Sequence, residues 1–265
     1  MIRAVVLDWA GTMVDYGCFA PLAVFLQVFE KRGIELTVEE AREPMGMLKR
    51  DHIRALLDMD RVAALWQEKY GRMPDERDVE ELYADFEPLL METLHEYATP
   101  VPGAVDLANR LRAKGIKIGS TTGYTRQMMD VVAAASEEQG YAPDVLVTPS
   151  DVPAGRPYPW MCFQNAMQLD CYPLSAMVKV GDTASDMKEG RNAGMWTVGV
   201  LKGGSELGLS QEEVRLLPQE VLHEKISRAA ERLREAGAHY VIEEIGRLDE
   251  ALAKIEKRLE AGERP

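Results

Sequence analysis

The sequence has no long apolar run and few cysteines. No stretch approaches the roughly 20 consecutive apolar residues that a membrane-spanning helix needs, and the N-terminus lacks the pattern of a signal peptide. The 3 cysteines, Cys18, Cys162 and Cys171, are odd in number and have no framework spacing for disulfides. Few cysteines without a disulfide pattern are typical of proteins in a reducing compartment. We therefore expect a cytoplasmic protein that does not associate with a membrane.

Positive charge is also in short supply. The chain has 31 Lys and Arg against 44 Asp and Glu, a formal net charge of −13. This excess of negative charge disfavours nonspecific binding to nucleic acid or anionic lipid, so we expect neither as a partner. It also means that an anionic small molecule must be attracted by a metal ion or by a local group of Lys and Arg side chains. Apolar residues make up 46% of the chain, which is ordinary for a globular protein with a buried core.

The first fifteen residues, MIRAVVLDWAGTMVD, contain the first chemically informative pattern. The run Ile2–Leu7 is mostly apolar and β-branched, which predicts a strand buried on both faces of a parallel sheet. Asp8 ends the run, and Gly11-Thr12 indicates a tight exit loop. Ligands of open α/β sheets bind beyond the carboxyl ends of the strands, so Asp8 is predicted to lie at a functional site. Alternatively, Asp8 only caps a turn.

The rest of the chain divides into a helical part and an alternating part. From about Cys18 to Ala98 the sequence has helical periodicity and no convincing strand. Further on, strands alternate with helices, which predicts right-handed crossovers and a parallel sheet that includes the first strand. We therefore predict a Rossmann-like α/β core formed by residues 1–17 and 99–265, with a helical cap domain inserted at 18–98. The predicted later strands are Ile116–Thr121, Asp144–Thr148, Met177–Val180, Trp196–Leu201 and His239–Ile242.

Polar residues collect at the predicted carboxyl ends of the strands. They follow the first strand at Asp8 and then occupy the segments 120–124, 155–160 and 181–186. Asp8, Asp182 and Asp186 would converge on one edge, and carboxylate oxygens of this kind commonly hold Mg²⁺ together with water and a substrate phosphate. Alternatively, Asp182 and Asp186 cap a helix.

The same loops offer groups that could bind a phosphoryl group. The Thr122 hydroxyl and the backbone amides of Gly11 and Gly123 can donate hydrogen bonds to phosphoryl oxygens. Arg156 can present its guanidinium to the same group, although a surface ion pair is the common alternative for an arginine. Several polar loops at successive strand ends indicate a functional site much more specifically than one such loop does.

This ordered set of loops resembles the haloacid dehalogenase superfamily of aspartate-nucleophile phosphotransferases. The resemblance covers the whole length, and the helical insertion falls where that superfamily has its first type of cap. One position departs from the pattern: superfamily phosphatases usually have a second Asp two residues after the nucleophile, and this chain has Ala10. Alanine cannot protonate a leaving alkoxide. Either the protein is inactive, or its leaving group does not need that acid.

The cap run Met45–His52, with DWAGT near the start and GRPYPW in the middle, resembles the phosphonoacetaldehyde hydrolases within this superfamily. The resemblance implies that Lys49 forms a Schiff base with the substrate aldehyde and that Asp8 attacks phosphorus. It also implies a Mg²⁺ cofactor and a homodimer formed through the caps. The residues implied around the substrate are Cys18, Met45, His52 and Tyr124, and those implied for the metal are Asp8, Ala10, Asp182 and Asp186.

Under this interpretation the substrate is a small phosphonate, and a protonated imine at Lys49 accepts the electrons of the breaking C–P bond. No alkoxide then leaves, which fits Ala10. Lys49 must be partly neutral, so we expect burial under the cap and nearby positive charge to lower its pKa. His52, three residues further along the same helix, could shuttle protons, or it could be a structural histidine.

Two other functions stay open at this point. The protein could be a phosphatase or phosphomutase of the same superfamily that takes its acid from elsewhere. It could also be a noncatalytic phosphate-binding protein. Trapping of an imine on Lys49 separates the first interpretation from both of these.

Overall fold

A computed structural model describes residues 1–265. Its centre is a six-stranded, fully parallel sheet with the strand order β3-β2-β1-β4-β5-β6. The order reverses at β1, which places the first strand at the middle of the sheet. This arrangement confirms the predicted parallel α/β core. The strands are β1 (Ala4–Leu7), β2 (Lys117–Ser120), β3 (Val145–Leu146), β4 (Met177–Gly181), β5 (Trp196–Val200) and β6 (Tyr240–Ile242).

The register of β1 determines which residues meet at the functional edge. Leu7 is paired with Ser120 of β2 on one side and with Val180 of β4 on the other. Asp8 continues this pairing, because its backbone N–H donates to the Val180 carbonyl at 2.9 Å. The ends of β1, β2 and β4 therefore lie side by side, as the order of the polar loops predicts.

Only helices lie between β1 and β2. Thr37 and Glu40 form a capping box at the start of the helix Val38–Arg42. The helix Lys49–Leu57 begins at Lys49, because Leu48 before it has extended backbone angles (φ −54°, ψ 136°). The inserted helical cap is thus confirmed, while its boundaries at residues 18 and 98 stay a prediction. Its helices are α1 (Phe19–Lys31), α2 (Val38–Arg42), α3 (Lys49–Leu57), α4 (Asp60–Tyr70) and α5 (Glu76–Thr93), followed by a 3₁₀ turn at Leu94–Tyr97.

The remaining helices cover the sheet. One of them, α10, was not predicted: it is short, has no buried residue, and begins with a capping box between Ser210 and Glu213. The predicted third strand, Asp144–Thr148, is reduced to Val145–Leu146. The Asp144 carboxylate accepts the backbone N–H of Ile118 on the neighbouring strand, and the Thr148 hydroxyl accepts that of Ser150 in a local turn. These helices are α6 (Ala104–Ala113), α7 (Arg126–Glu137), α8 (Trp160–Gln168), α9 (Ala184–Asn192), α10 (Gln211–Leu216), α11 (Gln219–Glu235) and α12 (Leu248–Glu260).

One apolar cluster of 51 buried residues extends from the sheet into the cap. It includes Val5 and Leu7 of β1 together with Phe25 of α1 and Phe86 of α5. Burial of this continuous surface holds the cap helices against the core. None of the helices combines the length with the apolar character that a membrane-spanning segment requires.

Candidate active site

Asp8 lies at the carboxyl end of the central strand and is only 4% exposed. Its Oδ1 atom accepts a hydrogen bond from Nη2 of Arg156 at 2.6 Å. Burial raises the pKa of Asp8, while the positive charge of Arg156 opposes that rise. The pair brings a carboxylate and a guanidinium together in a site nearly closed to solvent, as the sequence predicts for a nucleophile beside a phosphoryl-binding arginine.

Three buried carboxylates meet beside Arg156. Oxygen atoms of Asp8, Asp182 and Asp186 all lie within 4.8 Å of one another. Asp182 accepts hydrogen bonds from the Thr12 hydroxyl at 2.8 Å and from the Ser205 backbone N–H at 2.7 Å. Burial, followed by the charges of Asp8 and Asp186, raises the pKa of Asp182 well above its usual value.

This donor set fits a hard divalent cation. Buried like charges repel one another, and a cation between them removes the repulsion while oxygen atoms supply its ligands. Ala10, also predicted for the metal, can offer only its main-chain oxygen, and it borders the same cavity as Asp8. A metal held by Asp8 and Asp182 is therefore consistent with the charges and the geometry.

Asp186 differs from the other two carboxylates because cations of the protein already surround it. It accepts from Nζ of Lys179, lies 3.1 Å from Nη2 of Arg156, and accepts from the Thr183 hydroxyl at 2.6 Å. Burial alone would raise its pKa, but Arg156 and Lys179 reverse the effect, so the pKa of Asp186 is lowered. The structure brings Asp186 to the predicted place, and its role toward a metal stays a prediction.

Lys49 approaches the site from the cap. It is the first residue of α3 and is 3% exposed. Its Nζ atom lies 5.0 Å from the ring centre of Tyr124 in the core and 5.9 Å from that of Phe25 in the cap. Burial lowers the pKa of Lys49, and the positive charge of Arg156 contributes in the same direction, whereas the negative charge of Asp8 opposes it. The direction agrees with the expectation for an amine that must be neutral to attack.

Lys49 and Asp8 face one small cavity of about 20 Å³, room for one or two water molecules. Cys18 also borders it, and burial raises the pKa of that thiol well above its usual value, so it is a neutral group. The predicted residues that line this cavity are Asp8, Ala10, Cys18, Met45, Lys49, Thr122, Gly123, Tyr124 and Arg156, and Gly46 and Thr183 complete the wall.

The cap closes this cavity with its main chain. A Cβ atom on Gly123 would stand 2.5 Å from the Met47 carbonyl oxygen and 2.9 Å from that of Gly46. Gly46 in turn has a positive φ of 87° and contacts the Thr183 side chain so closely that no Cβ atom fits between them. Glycine at both positions therefore allows the cap loop to seat directly on the core.

Some predicted residues do not border the cavity. Gly11, Asp182 and Asp186 lie behind it, and a Cβ atom on Gly11 would collide with the Asp182 carboxylate. His52 is fully buried in the cap, stacks on Phe25 with ring centres 3.8 Å apart, and bonds through Nε2 to the Ala41 carbonyl at 3.0 Å. Burial, together with the positive charge of Lys49, lowers the pKa of His52 well below its usual value, so the ring is neutral. Its predicted part in proton transfer stays a prediction.

Sequence reasoning missed three buried charged residues near the site. Glu189 and Lys179 have fully buried side chains and contact Arg156 and Asp186, respectively. Asp15 accepts the backbone N–H groups of Phe19 and Ala20 at the start of α1. The available signal for Asp15 was its position just before a helix. For Glu189 it was the three-residue spacing from Asp186 on one helix.

A larger cavity lies elsewhere in the protein. It has a volume of about 690 Å³ between α2 and α11 and is bordered by charged side chains that include Arg42, Lys225 and Arg228. None of the predicted site residues borders it, so it does not contribute to the arrangement around Asp8.

Comparison with known proteins places this geometry in a family. A family described as haloacid dehalogenase-like hydrolase matches residues 2–194, and a second, described as HAD-hydrolase-like, matches residues 153–236. The phosphonoacetaldehyde hydrolase of Bacillus cereus (strain G9842) is 59% identical over 257 residues, covering 97% of this chain and 97% of that protein.

Two further proteins extend the comparison. A bifunctional phosphonoacetaldehyde hydrolase/aminoethylphosphonate transaminase of Clostridioides difficile (strain 630) is 59% identical over 96% of this chain, which spans only 40% of that longer protein. A crystal structure of a phosphonoacetaldehyde hydrolase-like protein from Oleispira antarctica matches with a TM-score of 0.96 and 39% identity, over 100% of this chain and 96% of the other. The chain therefore belongs to the phosphonoacetaldehyde hydrolase family of the haloacid dehalogenase-like hydrolases.

Proposed function

We propose that the protein hydrolyses the C–P bond of phosphonoacetaldehyde to acetaldehyde and phosphate. The observation that carries the proposal is that a buried amine, Lys49, and a buried carboxylate, Asp8, face the same cavity from the cap and from the core. The names of the full-length relatives agree with this substrate. Ala10 supplies no acid at the usual position, so the reaction must not require protonation of an alkoxide.

The reaction begins at Lys49. Its neutral amine adds to the aldehyde carbon, water leaves, and a protonated imine joins Nζ to the substrate. Burial supports this step, because the pKa of Lys49 is lowered and a larger fraction of the amine is neutral. Tyr124 and Cys18 border the cavity, and together with Met45 they exclude bulk water from the imine.

The C–P bond breaks at the second step. Asp8 attacks phosphorus in line, and the electron pair of the C–P bond moves onto the cationic imine, so the carbon departs as an enamine. The product on the core is an aspartyl phosphate. Arg156, held 2.6 Å from Asp8, faces the charge that develops on the phosphoryl oxygens. Thr122 and the backbone amide of Gly123 border the same space and can donate hydrogen bonds to that group.

A Mg²⁺ ion held by Asp8, Ala10 and Asp182, with Asp186 nearby, would neutralise further charge on the phosphoryl group. Water then cleaves the aspartyl phosphate and releases phosphate. The enamine takes a proton at carbon, and a second water hydrolyses the resulting imine to acetaldehyde and free Lys49. One water is released at imine formation and two are consumed, so the net reaction uses one.

Imine trapping tests this proposal directly. Borohydride added with phosphonoacetaldehyde should reduce the imine and attach the two-carbon unit covalently to Lys49, detectable by mass spectrometry of the peptide. Lys49→Arg should lose both the adduct and phosphate release, whereas Lys31→Arg, at an exposed position of α1, should retain both.

Other outcomes of the same assay identify the alternatives. Phosphate release from a phosphate monoester by Lys49→Arg, without any trapped adduct in the wild type, would show a phosphatase or phosphomutase. Binding of phosphate with no turnover of either substrate would show a noncatalytic phosphate-binding protein. Either result contradicts the proposed C–P hydrolysis.

A cytoplasmic location and a homodimer formed through the caps complete the proposal. The three cysteines are all free, buried thiols, which agrees with a reducing compartment. Sedimentation equilibrium of the protein tests the dimer, because a monomer at micromolar concentration would contradict it.

A further inference from the structure

Arg156 has a second carboxylate partner on the side away from the substrate cavity. Nε of Arg156 donates to Oε2 of Glu189 at 2.9 Å, and both side chains are almost fully excluded from solvent. Glu189 lies on α9, one turn after Asp186, and so belongs to the helix that follows β4. A buried carboxylate must be compensated by cations or donors, and Arg156 is the nearer of the two cations beside it.

The donors of Arg156 are divided between two sides of its guanidinium. Nε is directed to Glu189, whereas Nη2 donates to Asp8 at 2.6 Å and Nη1 to the Gly46 carbonyl at 3.3 Å. A planar guanidinium has a rigid set of donors, so fixing Nε also fixes the directions in which both terminal nitrogens point. The bond to Glu189 thereby orients Arg156 toward the nucleophile and the cap.

Thr121 closes a three-membered hydrogen-bond ring with these two residues. Its hydroxyl donates to Oε2 of Glu189 at 3.0 Å and accepts from Nη2 of Arg156 at 2.8 Å. An ionised carboxylate only accepts, so it determines which way the Thr121 proton points, and the hydroxyl oxygen is then available to Arg156. The ring constrains the rotamer of Arg156 at two atoms.

The charges around Glu189 show why its carboxylate matters. Lys179 lies 3.6 Å from Glu189 and also bonds to Asp186, which itself lies 3.1 Å from Arg156. Two buried cations therefore face two buried anions behind the nucleophile. With Glu189 neutral or absent, Arg156 would keep Asp8 and Asp186 as carboxylate partners of Nη2. No carboxylate would then hold Nε, so the plane of the guanidinium would be free to rotate.

We propose that Glu189 is a positioning residue that holds the guanidinium of Arg156 toward Asp8 and the phosphoryl group. The proposal rests on the C–P hydrolysis proposed above and adds a residue to it. Glu189 does not border the substrate cavity, so it acts through the residues that it contacts, of which Arg156 and Thr121 are hydrogen-bonded to it. Its loss should therefore affect the phosphoryl-transfer half of the reaction and spare imine formation on the cap.

Glu189→Gln tests the role of the charge, because glutamine matches glutamate in shape. We expect phosphate release per imine formed to fall by about 10- to 100-fold, the usual effect of removing a partner that orients a site residue. Borohydride trapping at Lys49 should stay within about twofold of the wild type, a split that a general loss of folding would not produce. Glu189→Asp, which restores the charge one methylene further away, should recover part of the loss.

A double-substitution cycle with Arg156→Lys tests whether Glu189 acts through Arg156. The combined loss should be far smaller than the product of the two single losses, because a lysine has no Nε–H for Glu189 to hold. The matched control is Glu224→Gln, which removes an exposed arginine-paired glutamate on α11 and should leave both steps unchanged.

Two results would overturn the proposal. One is wild-type phosphate release by both Glu189→Gln and Glu189→Ala. The other is a fall in phosphate release caused by Glu189→Gln that is as large in the Arg156→Lys variant as in the wild type. Absence of a trapped adduct in the wild type would instead refute the proposed function, so the two failures are distinguishable.

Discussion

Gly123 of the core lies so close to the cap that a Cβ atom on it would stand 2.5 Å from the carbonyl oxygen of Met47. Real Cβ atoms do not approach a carbonyl oxygen so closely, so any side chain here must displace the backbone of the cap loop. Because that loop leads directly into α3, its position also determines where Lys49 stands relative to Asp8.

Gly123→Ala should therefore separate the two halves of the site. We expect kcat/KM for phosphonoacetaldehyde to fall by at least about 10-fold, since misplacing reacting groups by about 1 Å has effects of that order or greater. Gly246→Ala is a suitable control, because a Cβ atom there would make an ordinary contact of 3.7 Å. Full activity of Gly123→Ala would mean that the loop adapts without moving Lys49.

The reactivity of Lys49 should depend on pH with a midpoint below the ordinary value of 10.5. Burial disfavours the charged amine, so the neutral fraction at any given pH is larger than in a solvated lysine. The rate of borohydride trapping should rise with pH and become constant above the lowered pKa of Lys49. A midpoint at or above 10.5 would contradict the role of burial.

Removal of divalent cations should affect the two half-reactions differently. The carboxylates of Asp8, Asp182 and Asp186 are in the core, whereas Lys49 is in the cap. In EDTA we expect phosphate release to be lost and trapping at Lys49 to persist. Added Mg²⁺ should raise the melting temperature of the wild type, and Asp182→Asn should reduce that rise. Undiminished phosphate release in EDTA would exclude the proposed metal site.

Asp15 should make stability depend on pH. Burial raises its pKa from 3.8 to about 6, although hydrogen bonds from Phe19 and Ala20 oppose the rise. The folded state thus binds this proton more tightly than the unfolded state does. The resulting stabilisation, about 3 kcal/mol at most from a shift of about 2 pH units, is fully present below pH 3.8 and is lost as pH rises through 6.

Asp15→Asn provides the comparison, because asparagine keeps an oxygen acceptor at the start of α1 and does not titrate. Urea unfolding at pH 4 and pH 7 should show a smaller decrease in the free energy of unfolding for the variant than for the wild type. Equal decreases in the two proteins would contradict the raised pKa of Asp15.

The sheet core was predictable because its strands and helices follow local sequence patterns that the tertiary contacts of the fold do not change. The apolar, β-branched run before Asp8 predicted a buried strand. The alternation of strands and helices after Val101 predicted parallel crossovers, which bring the polar loops to one edge of the sheet. The short helix α10 escaped prediction because it has no buried face to give an apolar period.

The site residues that stand in a recognisable sequence motif were predictable. Residues whose only signal is a buried side-chain contact were much less so. Recognisable sequence motifs contain Lys49, Asp8 and Arg156, and the structure brings these three residues to one cavity. Glu189 stands in an ordinary helical sequence, and only the folded arrangement directs its carboxylate to Arg156. Likewise, the hydrogen bond from His52 to Ala41 depends on how α3 packs against α2.

The central position of β1 has a consequence for synthesis on the ribosome. Ala4–Leu7 is translated before its sheet neighbours, residues 117–120 and 177–180, and the whole cap is encoded between it and them. The nascent chain must therefore expose an apolar strand with both edges unpaired while the cap helices are made. Early compaction of those helices, whose apolar faces join the same cluster as β1, would shelter that strand until its partners leave the exit tunnel.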